Sequence, residues 1–274
     1  MALDLAPLWD FNKPELSEQR FRAALDGASA DDRLILQTQI ARTYGLRKDF
    51  AKAQDVLRTI EPQIGSAGFE ARTRYALELG RSHSSATHPP ESRTTAAKAL
   101  ARAAYLNALQ TAQAGQLDDL AIDAIHMLAF VDTAPADQLK WGNQALAVVE
   151  ASKQPGAKKW EASIRHNIGY ALHQLGQYPQ ALEQFKQAAA IRERGTNGEA
   201  IRTAHWMIAW TLRALKRNDE ALAIQLRLER EGEAAGRPDP YVIEELAILY
   251  RESGDKERAA HYARLQQPEG AARP

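Results

Sequence analysis

A small residue followed twelve positions later by alanine recurs along this chain of 274 residues and limits its fold more than any other feature. In each copy, an apolar or aromatic residue follows the small one by three positions. Small residues allow two helices to approach closely, and the larger residue fills the space beside the contact. The pattern therefore predicts helical hairpins stacked in series. The pairs in this register are Ala41/Ala53, Gly169/Ala181, Ala209/Ala221 and Ala247/Ala259.

Two further hairpins with longer loops fit into the gap between the first and second of these pairs. Gly80 and Ala101 mark one hairpin, on either side of a Pro-rich breaker segment, and Ala129 and Ala145 mark the other. Residues 14–28 repeat the second-helix pattern alone, which predicts a capping helix. The sequence thus predicts an all-α solenoid of one capping helix and about six hairpins. We expect this solenoid to form one domain over residues 1–274, with a helical core at about 14–267 and short flexible ends before residue 8 and after residue 267.

The fourth hairpin carries the most complete motif. Its first helix has an apolar residue, then glycine and, three positions on, leucine, and its second helix has alanine followed by phenylalanine four positions later. In chain order the motif is Ile168-Gly169-x-x-Leu172, then Gly176-x-Tyr178-x-x-Ala181-Leu182-x-x-Phe185-x-x-Ala188. This motif resembles the signature of tetratricopeptide-repeat (TPR) proteins. The whole chain resembles stand-alone bacterial TPR proteins of no assigned activity.

This resemblance implies a right-handed superhelix whose concave groove, lined by the first helix of each hairpin, binds a protein or peptide. TPR proteins that grip chaperone tails use a clamp of Lys, Asn and Arg side chains on adjacent first helices. Asn167 lies where a clamp asparagine is expected, but His166 and Trp206 lie where lysines would be. The sequence therefore does not favour a chaperone-tail function.

The first helices also predict which side chains line the groove. Tyr and Trp offer large apolar surfaces, Asn can bind a peptide backbone, and Arg can pair with carboxylates. Two alternatives stay open: Trp206 and Trp210 pack between repeats instead, and His166 and His173 are ordinary hydrogen-bonded or solvated histidines. The predicted groove residues are His166, Asn167, Tyr170, His173, Gln174, Trp206, Trp210, Arg213 and Arg42.

The composition argues against several other classes of protein. Lys and Arg together number 35, as do Asp and Glu, so there is no basic surplus to attract nucleic acid or anionic membranes. The absence of cysteine excludes disulfides and thiolate metal sites, and it fits a reducing cytoplasm. The first ten residues lack a secretory-signal pattern, and no apolar run approaches the roughly 18–20 residues that cross a bilayer.

No enzyme motif is found, whether phosphate loop, nucleophile elbow or His-Glu-x-x-His. We therefore predict no catalytic residue, cofactor or metal. Asp118, Asp119, Asp123 and His126 lie close together on one predicted helix, but a solvated acidic first turn is favoured over a metal cluster.

Three functions follow from these features. The favoured one is a non-enzymatic adaptor or scaffold that binds a protein or peptide in the groove. The alternatives are a TPR scaffold that assembles into homo-oligomers, and a small-ligand sensor or enzyme built around His126, His166 and His173.

Overall fold

The structure is a computed structural model that describes residues 3–266, and it confirms the all-α prediction: no strand occurs among these residues. The chain divides at Trp160/Glu161 into two compact units, which we call unit 1 and unit 2. The single-domain prediction stays a prediction. Unit 1 holds α1 Pro14–Ala23, α2 Ala30–Leu46, α3 Phe50–Ile64, α4 Phe69–His83, α5 Thr95–Ala114, α6 Asp118–Val131, α7 Pro135–Ala151 and α8 Pro155–Lys158. Unit 2 holds α9 Glu161–Gln174, α10 Tyr178–Arg192, α11 Gly198–Ala214, α12 Asn218–Ala234, α13 Pro240–Ser253 and α14 Lys256–Leu265.

Six of the turns between consecutive helices close with the same hydrogen-bond pattern. In each, one residue with positive φ ends the first helix, and the next N–H donates to a carbonyl five residues earlier, as from Gln177 to Leu172 at 2.9 Å. The left-handed residues of these turns are Lys48, Gln116, Gly176, Lys216, Gly236 and Gly254. Four lie seven positions after the small residue of a predicted hairpin, which explains why the spacing is constant. The other two, Gln116 and Gly236, join α5 to α6 and α12 to α13, connections that the sequence predicted as links between hairpins.

Close contacts inside the hairpins bear out the role assigned to the first-helix glycines. A Cβ atom added at Gly169 would lie 2.8–3.0 Å from carbons of the Phe185 ring on α10. Gly80 on α4 faces the ring of Tyr105 on α5 in the same way. Both rings are fully buried, so they cannot move aside without opening the core. The glycines thus set the distance between the paired helices.

The N-terminal segment of unit 1 is more ordered than predicted. Residues before Leu8 were expected to be flexible, yet Leu5 is buried in the same apolar cluster as Phe21 of α1. The Trp9 ring contacts Phe21 edge-on with 4.9 Å between centroids, and its Nε1 donates to Gln39 of α2 at 3.2 Å. These contacts hold the segment on α2. The predicted flexible end after residue 267 lies outside the described residues.

Candidate functional site

Four of the predicted groove residues of unit 2 come together on α9 and α11 as an array of aromatic rings: Tyr170, His173, Trp206 and Trp210. The imidazole of His173 stacks on Trp210 with 3.3 Å between centroids, and Tyr170 lies parallel to Trp210 at 6.2 Å. Trp206, one helical turn from Trp210, stacks beside it at 5.8 Å. Trp210 thus packs between α9 and α11, whereas Trp206 also lines a cavity. That either tryptophan binds a ligand stays a prediction.

This cavity has a volume of about 580 Å³ and lies among α9, α11, the end of α12 and the start of α13. Its walls include His166 and Tyr170 from α9, Trp206 from α11, and Tyr241 from α13. Tyr241 contacts Trp206 edge-on with 6.1 Å between centroids. The two tyrosines remain well exposed, at 43% for Tyr170 and 65% for Tyr241, so their rings offer apolar surface to a ligand.

Three ring nitrogens of this array are buried and have no hydrogen-bond partner within residues 3–266: His166 Nδ1, His173 Nε2 and Trp206 Nε1. Burial, with the charge of Arg192, lowers the pKa of His166 to about 4, and burial with the charge of Arg213 does the same for His173. Both imidazoles are therefore neutral at pH 7. Buried polar atoms without a hydrogen-bond partner are rare in proteins. On this face, the fold leaves three of them unpaired among the described residues.

Charged side chains surround the cavity on two sides. Arg202 and Glu199 come from the first turns of α11, and Arg237 and Asp239 come from the loop before α13. The carboxylate of Asp239 accepts a hydrogen bond from the N–H of Tyr241 at 2.9 Å and thereby caps α13. Within residues 3–266, neither arginine lies within 4.0 Å of a carboxylate oxygen. The arginines are thus available to a ligand.

Other predicted residues of unit 2 lie outside this cavity. Arg213 makes a bidentate pair with Glu245 of α13, with N–O distances of 2.7 and 2.8 Å, so its charge is already balanced. Gln174 is exposed at the end of α9, and Asn167 is half-buried on the same helix. Neither of these two lines the cavity. The prediction that Asn167 binds a ligand stays a prediction.

Arg42, the remaining predicted residue, belongs to unit 1 and to a chain of ion pairs there. It donates to Glu78 of α4 at 3.1 Å, and Arg81 donates to the same oxygen at 2.6 Å. Arg81 also pairs with Asp123 of α6. Burial alone would raise the pKa of Asp123, but the charges of Arg81 and Arg42 hold it below its usual value. These four charges therefore satisfy one another.

The acidic cluster considered from the sequence separates in the structure. Asp118 accepts from Ser152 Oγ at 2.6 Å, Asp119 accepts from Trp160 Nε1 at 2.6 Å, and Asp123 pairs with Arg81. The three carboxylates thus bind different partners and do not converge on one point. Over the described part of the chain, no group of three His, Cys, Asp or Glu side chains is placed to hold a metal ion.

Sequence reasoning missed Arg202, Arg237 and Tyr241. Two of them were within reach of the register already found, because Arg202 precedes Trp206 by four residues. Tyr241 likewise precedes Glu244 by three, and Glu244 lies three positions before Ala247 just as Trp206 lies three before Ala209. Extending the predicted groove face of each first helix by one turn toward the helix N-terminus would have included them. Arg237 lies in a loop, where helical spacing carries no signal.

The comparisons with known proteins agree with this architecture. Residues 160–229 match the family model of the tetratricopeptide repeat. The apo form of RapI is 14% identical, with a TM-score of 0.74 over 93% of this chain and 70% of that one. The resemblance to TPR proteins is thus confirmed, and the chain has the fold of a TPR-like helical repeat protein. No curated protein matches the chain.

Two other solved structures are similar at the same low identity of 14%. One is PH0952 from Pyrococcus horikoshii, a signal transduction ATPase with numerous domains and a TPR sensor, with a TM-score of 0.71 over 92% of this chain. This chain spans only 38% of PH0952. The other is the apo quorum sensor NprR from B. thuringiensis, with a TM-score of 0.53 over 94% of this chain and 82% of that one. At such identities, the similarity establishes the fold alone.

Among residues 3–266, no helix combines the length and the apolar character needed to cross a membrane.

Proposed function

We propose that the chain is a non-enzymatic adaptor and that the cavity of unit 2 binds a short peptide segment of its partner. The observation that carries this proposal is the aromatic wall formed by Tyr170, Trp206 and Tyr241 around a cavity of about 580 Å³. That volume lies within the roughly 300–1,000 Å³ typical of ligand sites. It accommodates a few residues of a peptide, not a folded domain.

The chemistry of the wall supports peptide recognition. Tyr and Trp are the residues that most often dominate binding energy at interfaces, because they bury a large area and restrict few rotamers. The described wall combines such rings with polar atoms that the fold leaves unpaired at His166 and Trp206. A peptide supplies both apolar side chains for these rings and polar groups for the charged side chains that also line the cavity. Two of the similar structures, PH0952 and NprR, are described as sensors, which is in keeping with ligand recognition.

The test is selection from a displayed library of random peptides, followed by calorimetric titration of a synthetic selected peptide. The variant Tyr170→Ala/Tyr241→Ala removes the two exposed rings of the wall, and we expect it to weaken binding by about 10-fold or more. Leu265→Ala is the matched control, because Leu265 is also an exposed apolar side chain of unit 2, 52% exposed on α14. We expect the control to bind within about 2-fold of the parent protein. Circular dichroism would first verify that both variants fold.

Failure to enrich any peptide, or equal binding by the double variant, would refute the proposal. The cavity volume also fits a small molecule, so a small-ligand sensor is the second candidate function. A metabolite screen by thermal shift tests it. Stabilisation by a metabolite that is lost in the double variant would favour a small-ligand sensor. Self-assembly is a third candidate, and light scattering that gives a concentration-independent monomer would exclude it.

A further inference from the structure

We infer that the unit 2 cavity selects peptide segments in which a carboxylate lies next to a large apolar side chain. This inference rests on the proposed peptide binding and adds the chemical class of peptide. It arises from the distribution of charges and hydrogen-bond donors around the cavity.

The basic side chains at the cavity are unpaired in the described part of the chain. Arg202 is half-buried, Arg237 is exposed, and no carboxylate oxygen of residues 3–266 lies within ion-pair distance of either. Other arginines of unit 2 are paired. The Nε of Arg213 lies 2.7 Å from a carboxylate oxygen of Glu245, and the Nε of Arg165 lies 2.9 Å from one of Glu161. A half-buried guanidinium without an anion is an open position for a ligand carboxylate, which arginine binds in bidentate geometry.

The acidic side chains at the cavity are occupied differently. Asp239 caps the N-terminus of α13 through its bond to the Tyr241 N–H, and Glu199 lies in the first turn of α11. The partial positive charge of a helix N-terminus stabilises a carboxylate at either place. Both acids therefore have a favourable role within the fold, whereas the arginines do not. The arginines are thus the charged side chains at the cavity that have neither an ion pair nor a helix N-terminus to stabilise them within the described residues.

The neutral polar atoms point to the same class of ligand. The indole Nε1 of Trp206 is buried and unpaired among the described residues, and an indole can only donate a hydrogen bond. A guanidinium likewise donates and cannot accept. The Trp206 Nε1 atom has less than 1 Å² of accessible surface, so Arg202 is the donor that a ligand meets, and such a ligand must present acceptor oxygens. Carboxylates and backbone carbonyls are the acceptors that a peptide carries.

The apolar requirement comes from the rest of the wall. The cavity is lined by the rings of Trp206, Tyr170, Tyr241, Pro238 and Pro240. A large apolar or aromatic residue of the peptide can cover these rings, and its neighbour in sequence then lies within reach of Arg202. The predicted preference is thus for a pair of adjacent groups, not for acidic peptides in general.

The decisive experiment uses the full chain and a peptide selected from the displayed library. The peptide is synthesised with its carboxylate and with the isosteric amide, Asp to Asn, Glu to Gln, or a C-terminal amide. We expect the amide version to bind about 10-fold more weakly to the parent protein. We expect Arg202→Gln to bind the carboxylate and amide peptides with equal affinity. Arg237→Gln applies the same test to the exposed arginine of the cavity.

Arg230→Gln is the matched control, because Arg230 is an exposed arginine on α12 that does not line the cavity. It should keep the full preference for the carboxylate. Selected peptides that lack a carboxylate, or an amide version that binds the parent protein equally well, would overturn this inference while leaving peptide binding intact. If no peptide is selected at all, it is the proposed function that fails.

Discussion

The first-helix faces of the two units satisfy their polar groups in different ways. In unit 1, Arg42, Glu78, Arg81 and Asp123 pair with one another across α2, α4 and α6, so the charges on this face are balanced within the fold. In unit 2, the corresponding helices α9, α11 and α13 carry stacked aromatic rings, and polar atoms are left over beside them. One repeat architecture therefore presents both a closed face and an open face.

This difference bears on where a ligand is expected. Disrupting a balanced ion-pair network to admit a ligand costs the energy of every pair that is broken. A face with unpaired donors and exposed rings gains hydrogen bonds and buried apolar area when a ligand arrives. The small cavity of unit 1, of about 200 Å³, is lined by three members of the network, so it fits a structural role better than a binding role.

The largest expected effect comes from breaking the unit 1 network. Arg81→Met leaves the buried carboxylate of Glu78 and the half-buried carboxylate of Asp123 without their shared partner, and we expect a loss of about 3–5 kcal/mol in the free energy of unfolding. Urea unfolding followed by circular dichroism measures it. Arg217→Met, which breaks the exposed pair with Glu220, should leave the unfolding midpoint unchanged. Equal midpoints for the two variants would mean that the unit 1 face is not held by its ion pairs.

A second variant tests whether the hairpins of unit 2 are tightly packed although its first-helix face is open. Gly169→Leu forces a side chain into the buried Phe185 ring, and overpacking of this kind should cost about 1–3 kcal/mol or more. Gly45→Ala on α2 is the control, because a Cβ there meets no atom within 4 Å. Since alanine favours helix more than glycine does, the control should gain up to about 1 kcal/mol. Thermal unfolding measures the stability of both variants. A Gly169→Leu protein as stable as the parent would show that the repeat register is wrong.

A further expected effect is a pH dependence of stability that arises from the histidines of unit 2. The pKa of His166 and of His173 is about 4 in the folded chain, below the usual 6.5, so the unfolded chain takes up protons first on acidification. The stability that the neutral imidazoles contribute is complete above pH 6.5 and is lost as the pH falls toward 4. His166→Gln/His173→Gln should therefore show a smaller drop in urea midpoint between pH 7 and pH 5 than the parent protein.

His261→Gln, at an exposed position on α14, is the control for this experiment and should keep the drop of the parent protein. If the double variant lost stability as steeply as the parent, the two imidazoles would not be held neutral by their surroundings. The aromatic face would then be more open to water than its geometry indicates.

The sequence by itself determined the hairpins, because their packing depends on local spacing. A small residue, a larger one three positions on and an alanine twelve positions on can be read directly, and Gly169 against Phe185 shows the contact that this spacing produces. The same periodicity placed His166 and Tyr170 on one side of α9, and Trp206 and Trp210 on one side of α11, since residues three or four apart share a side of a helix.

Only the tertiary structure decided which of these side chains are free. Arg213 and Arg202 have the same chemistry and lie on the same helix, yet Glu245 of α13 neutralises the first and no described carboxylate reaches the second. That outcome depends on residues more than 30 positions away in the chain, as does the contact of Tyr241 with Trp206. Helical spacing describes one helix at a time, whereas pairing and exposure depend on how neighbouring helices are placed in space.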